Sequence, residues 1–135
     1  MDILVYGHGD KSESGFGDVR SLEDYVKRGV FREEQRRYRY SQTKRADIVV
    51  LSRDGLAFGH FEIDSMEAPT ASDREAYPPV KQVYLVRESV WYREPVRLSD
   101  IGIVGYQFGK QITEVEFHRI RELAGTETRW PEVTD

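Results

Sequence analysis

The side chains of this sequence that could do chemistry are three histidines, His8, His60 and His118, and a scatter of carboxylates. Among the carboxylates, Asp47, Glu62 and Asp64 come nearest to a metal-binding set. The histidines are far apart, and none belongs to an HExxH run or to a mixed Cys/His ligand pattern. There is no cysteine, which removes disulfides, thiol nucleophiles and Cys-ligated zinc together. Ser14-Gly15 does not lie inside GxSxG, so no nucleophile elbow is encoded. The glycines around His8 and Phe16 make neither GxGxxG nor a Walker run, and no nucleotide phosphate site is assigned. Glu62 and Asp64 alternate along an expected strand, and Glu33-Glu34 lies in a charged run, so each pair also reads as a solvated face. A divalent-metal hydrolase built on Asp47, Glu62 and Asp64 is the enzymatic alternative. The leading reading is a non-enzyme with no cofactor and no metal.

Binding chemistry is better represented. Arg36, Arg37 and Arg39 alternate with Tyr38 and Tyr40, and Lys44 and Arg45 follow. Cations interleaved with aromatics suit phosphate contacts combined with base stacking, although the same run suits a solvated face. The net charge of −4 counts against a large non-specific nucleic-acid footprint and leaves room for a local basic face.

The elements that must position these residues can be read in order. Ile3–Tyr6 is an apolar, interior first strand, and Gly7–Asp18 is a glycine-rich loop. Ser21 starts a helix with Asp24 at the capping-box position, a Leu22, Tyr25, Val26 stripe and Gly29 as C-cap. Val30 and Phe31 follow as an apolar pair, and then comes the basic run Arg32–Arg45. The strongest local signal is Ala46–Ile63. Its apolar runs Ile48–Leu51 and Leu56–Ile63 meet at Ser52-Arg53-Asp54-Gly55, and Asp-Gly there specifies a hairpin. Gly59 marks a bulge or a close backbone approach, and His60 is expected to be structural. Asp64–Pro79 reads as a loop of about 16 residues, a length often tied to function, presenting Tyr77 just before Pro78-Pro79. Val80–Tyr92 is a long strand or bent pair, Pro95–Leu98 a short extended segment and Ser99–Ile101 a turn. Thr113 and Glu116 form a capping box for a last helix that buries Phe117, Ile120 and Leu123-Ala124 and stops at Gly125. Thr126–Asp135 is a polar, peripheral tail containing Trp130-Pro131.

A chain of 135 residues holds one domain with a real core, here residues 1–125 followed by the tail 126–135. With 33% charged and 39% hydrophobic residues it has a soluble globular composition. No apolar run approaches the roughly 18 residues needed to span a bilayer, and the N-terminal decapeptide lacks the regions of a signal peptide. Together with the missing cysteines this fits a cytoplasmic protein without a membrane partner. The element order predicts an α+β domain: a small, curved, mostly antiparallel β-barrel flanked by helices.

Laid out this way, the chain resembles the PUA-like superfamily, and within it the EVE and YTH-like branch. The hairpin ADIVVLSRDGLAFGHFEI is similar to that family's strand, turn and Gly-containing strand. The loop ending in an aromatic before Pro78-Pro79-Val80-Lys81, the segment Pro95–Ile101 and the capped helix within Gln111–Ile120 are similar to its later segments. Together they cover roughly residues 3–124, and their order is the specific feature; a shared fold does not by itself fix function. The resemblance implies a nucleic-acid-binding module that flips one modified base into an aromatic cage. Related domains serve as modified-DNA sensors attached to restriction machinery. By position it implies a base pocket of Tyr6, His8, Phe31 and Tyr77, with Arg36, Arg37, Arg39, Lys44 and Arg45 on the nucleic-acid backbone. Phe31 stands where the family usually has Trp, neither Trp91 nor Trp130 is at an obvious cage position, and the GxKxxExR run of the ASCH branch is absent. The implied ligand is methylated or hydroxymethylated DNA, and the implied partner is an effector nuclease domain or subunit. RNA is the alternative nucleic acid, and a protein-interaction module suited to the acidic net charge is the alternative of another class.

Overall fold

Asp54 (φ 52°) and Gly55 (φ 77°) both take positive φ, the turn whose twist matches that of two antiparallel strands. They join β3 (Ile48–Arg53) to β4 (Leu56–Glu67). The structure is a computed structural model that describes residues 1–7, 22–34, 46–105 and 109–131. Before the hairpin come β1 (Ile3–Gly7), α1 (Leu22–Arg28) and β2 (Val30–Glu34). After it come α2 (Ala71–Ala76), β5 (Val80–Arg97), a 3-10 turn (Leu98–Ile101), β6 (Gly109–Ile112), α3 (Glu114–Ala124) and β7 (Glu127–Trp130).

The strands form one sheet in the order β2-β5-β4-β3-β1-β6, with β7 also paired to β5. The β1–β3 pair is parallel and the other ladders are antiparallel. β5 is 18 residues long. One of its edges carries β4, and the other carries β2 opposite Val80–Leu85 and β7 opposite Ser89–Tyr92. The barrel expected from the sequence is corrected here. Closure needs the end strands to pair with tilt and stagger, and among the described residues no ladder joins β2 to β6. Among the described residues β2 pairs only with β5 and β6 only with β1, so the two ends of the sheet are not joined. Among the described residues the sheet is open, and three short helices of seven, six and eleven residues accompany it.

Helices cover its two faces instead. Ile3, Val5, Ile48 and Val50 join one cluster with Phe117, Ile120 and Ala124 of α3. The alternate residues Leu4, Tyr6, Val49 and Leu51 join a second cluster with Tyr25 and Val26 of α1. Successive strand residues point to opposite faces, so strands apolar at every position are buried on both sides.

Gly59 does both things its position suggests. The β4–β5 register shifts between Ala57 and Gly59, and a Cβ at Gly59 would lie 2.5 Å from the Val90 carbonyl oxygen. Thr113 and Glu116 cap α3 reciprocally, and Phe117, Ile120 and Ala124 are buried, whereas Leu123 is 41% exposed. Two stretches differ from expectation. Asp64–Pro79 is not a loop: β4 runs on to Glu67, and Thr70 caps α2 through a second box with Asp73. The Thr-x-x-Asp pair outweighs a composition that reads as loop. Within the expected tail, Glu127–Trp130 is a strand on β5, anchored where Glu127 accepts from Arg121 at 2.8 and 2.9 Å and from Arg129 at 2.7 Å.

Candidate functional site

Tyr6 lies one residue from the end of β1, and Phe31 is the second residue of β2. The two strands are not hydrogen-bonded neighbours, yet their rings meet edge to face with centroids 4.9 Å apart. Phe31 also stacks on Tyr84, its cross-strand partner in β5, at 5.6 Å and 29°. Phe61 at 6.1 Å from Phe31 and Tyr25 at 5.9 Å from Phe61 extend the group. Edge-to-face and offset contacts are the favourable arrangements for the ring quadrupole. Tyr6 is 2% and Phe31 1% exposed, so both rings are enclosed in the chain as it stands.

Tyr77 is elsewhere. It follows α2 as its C-cap residue and packs with Val80, Val83, Val30 and Leu85. Phe31 pairs with Tyr84 while Val30 pairs with Leu85 and Arg32 with Val83; alternation therefore puts Tyr77's neighbours on the face of the β2–β5 ladder away from Phe31. The fold brings Tyr6 and Phe31 together and sets Tyr77 apart. His8 and the backbone-contact residues Arg36, Arg37, Arg39, Lys44 and Arg45 lie outside the described residues. In sequence they belong to segments 8–21 and 35–45, which follow β1 and β2. Arg32, at the head of the basic run, donates from Nε to Asp73 Oδ1 at 2.8 Å, and that holds β2 to α2.

Two residues of this region carry no motif and are legible only in the fold. Tyr84 sits between Val83 and Leu85, and the alternation of those valine and leucine side chains draws attention to the opposite face. Glu33 reads as one more charge in a charged run, but it is 1% exposed. The Tyr84 hydroxyl donates to its Oε1 at 3.3 Å.

The alternative metal set is not gathered. Asp47 Oδ2 accepts from the backbone N–H of Asp2 at 2.8 Å, while Glu62 and Asp64 share Arg87 at 3.1 and 3.4 Å. Among the described residues no group of three or more His, Asp or Glu side chains could hold a metal ion. His60 is buried, its Nδ1 2.6 Å from the Tyr92 hydroxyl and its ring edge-on to Phe117 at 5.0 Å. Burial, together with the positive charges of Arg121 and Arg129 and against the opposing Glu127, holds the His60 pKa down to about 3. Burial, with the charge of Glu127, likewise pushes the Tyr92 hydroxyl well up. The pair is therefore uncharged at neutral pH, a structural hydrogen bond rather than an acid and base poised for proton transfer. His118 lies on the exposed face of α3, 3.0 Å from Glu122.

A groove of about 410 Å³ between the 3-10 turn and α3 is lined by Ile101, Val115 and charged side chains including Asp100, Glu116 and Arg119. It lies on the side of α3, and none of Tyr6, Phe31 or Tyr77 lines it. No helix among the described residues is long and apolar enough to cross a membrane. The chain matches no family model, and no curated protein matches it.

Proposed function

We propose that this chain is a nucleic-acid-binding module that takes a flipped, modified base of DNA against Tyr6 and Phe31. The observation that carries the reading is the Tyr6–Phe31 contact, backed by Tyr84, on two strands that lead directly into the glycine-rich and basic segments. A base stacked on an aromatic side chain gains about 1–3 kcal/mol whatever its identity, and the cations of segment 35–45 supply the phosphate contacts. Because both rings are enclosed in the free chain, a base enters only as their cover moves aside. The effector nuclease implied by the resemblance would supply the chemistry that follows recognition.

The test is fluorescence-polarisation binding to matched duplexes, unmodified or carrying 5-methylcytosine, 5-hydroxymethylcytosine or N6-methyladenine, with single-stranded RNA alongside. Selective binding of one modified duplex is expected. If all five cations hold phosphates, log K against log salt has a slope of about −4.5. Phe31→Leu, which keeps apolar volume and loses the ring face, should abolish the preference for modified DNA and leave the salt slope in place. Equal affinity for modified and unmodified duplexes, or no binding at low salt, overturns the reading; preference for the RNA moves it to RNA.

A further inference from the structure

Val115 is 80% exposed, more than any other large apolar side chain among the described residues. It stands in the first turn of α3. Neither the core nor helix propensity accounts for a valine there. The core takes Phe117, Ile120 and Ala124 from the other side of the helix, and β-branching makes valine a poorer helix former than alanine. Val115, His118, Arg119 and Glu122 follow an i, i+3, i+4, i+7 spacing, so they share the solvent side of α3. Asp100 and Ile101 of the 3-10 turn stand beside them, and with Glu116 these residues line the groove of about 410 Å³. Its charges are unequal. Arg119 and His118 are both drawn to Glu122, at 3.2 and 3.0 Å. Glu116 turns one oxygen to the Thr113 N–H. The Asp100 carboxylate is exposed and makes no hydrogen bond or ion pair among the described residues. Three carboxylates thus face one guanidinium, and the groove is negative in either state of His118.

We propose that this groove docks a segment of a partner protein that carries an aliphatic side chain between basic residues. The aliphatic side chain packs on Ile101 and Val115, and the cations on either side meet Asp100 and Glu116. Charge complementarity selects this occupant: a negative surface attracts a basic segment and repels the phosphates of a nucleic acid. Openness points the same way. A small-molecule site buries most of its ligand, whereas a groove bounded by an exposed helix side suits a chain that lies across it. The site is also independent of base reading. α3 packs on the sheet face that holds Ile3 and Val5, and Tyr6 and Phe31 belong to the opposite face. A partner on α3 therefore does not compete with a base at Tyr6 and Phe31.

The experiment selects a displayed library of random dodecapeptides on the whole chain and removes, at each round, those that bind the Val115→Gln chain. The recovered peptides should place Leu, Ile or Val between Lys or Arg residues. One of them, synthesised, should bind the Val115→Gln chain about ten-fold more weakly, the loss expected for one buried aliphatic contact. It should bind the Asp100→Asn chain about two- to five-fold more weakly, the size of one exposed charge pair. Only the second loss should shrink as salt is raised. Both side chains are exposed, so both variants should unfold in urea together with the unsubstituted chain. Failure to recover peptides that distinguish the chain from Val115→Gln, or recovery of peptides without basic residues, overturns the proposal. Self-association of the unsubstituted chain that Val115→Gln abolishes also overturns it, because a second copy is then the occupant. Each of these outcomes leaves the base-reading function to its own test.

Discussion

Replacing His60 by Gln should remove a specific part of the protein's acid sensitivity. In the folded chain His60 resists protonation down to about pH 3, whereas the ordinary value is 6.5. Between those values the unfolded chain binds a proton that the folded chain refuses. The unfolded state is then favoured as pH falls, and the stabilisation is complete only above pH 6.5. Each pH unit in that window is worth about 1.36 kcal/mol, so the loss reaches about 2 kcal/mol by pH 5 and about 5 kcal/mol across the whole window. Against a domain stability of about 5–15 kcal/mol, even the first figure is large. Glutamine does not titrate and can still bond the Tyr92 hydroxyl, 2.6 Å from the imidazole nitrogen. The groups around the ring that set the local field, Arg121, Glu127 and Arg129, remain in both proteins. Urea unfolding at pH 7.5, 6.5, 5.5 and 5.0 measures the effect, with the m-value confirming that the same transition is followed. Carboxylate titration is common to both chains and cancels in the difference. The unsubstituted chain should lose about 2 kcal/mol more than His60→Gln from pH 7.5 to 5. Parallel stability curves over that range would refute the reasoning, since they would mean that His60 takes its proton equally well in both states.

Three further substitutions test the packing and capping. Gly59→Ala places a methyl group 2.5 Å from the Val90 carbonyl oxygen and 3.1 Å from Val26 Cγ2; backbone cannot yield cheaply, and urea unfolding should show a loss of about 3 kcal/mol, with less than about 1 counting against the contact. Tyr92→Phe leaves His60 Nδ1 without its hydroxyl partner and should cost about 1–3 kcal/mol, a cost that largely disappears when His60 is already replaced by Leu. Thr113→Ala removes the side chain that accepts from the Glu116 backbone N–H and should cost about 1 kcal/mol in the same assay, while Thr113→Ser should recover most of it.

The reach of local patterns is visible at particular residues. Asp54-Gly55 specified its turn because both φ values are a property of the residues themselves. Thr113 and Glu116 specified the start of α3 for a similar reason: each partner lies within one helical turn. The Thr70–Asp73 box is equally local, and it was obscured because the surrounding Ser, Ala, Pro and acids suggest a loop. The strand within the expected tail has a different origin. Glu127–Trp130 has little intrinsic reason to be a strand, and it becomes one because β5 offers a free edge opposite Ser89–Tyr92.

The candidate site divides along the same line. Its aromatic residue types, the charge run and the absence of a cysteine or a metal motif are properties of the one-dimensional chain. Which aromatics touch is not. Tyr6 meets Phe31 across 25 positions of sequence, and Tyr77 falls on the other face through the register of β2 on β5; a one-residue slip in that ladder would reverse the assignment. Burial decided the standing of Glu33, whose charge marks it as a surface residue until a folded chain encloses it beside Tyr84. Sheet closure, too, depends on the edges of strands far apart in sequence. Turns and caps are determined by forces that act over a few residues, so the sequence alone specified them; contacts between strands depend on long-range register and burial, and only the tertiary structure decided those.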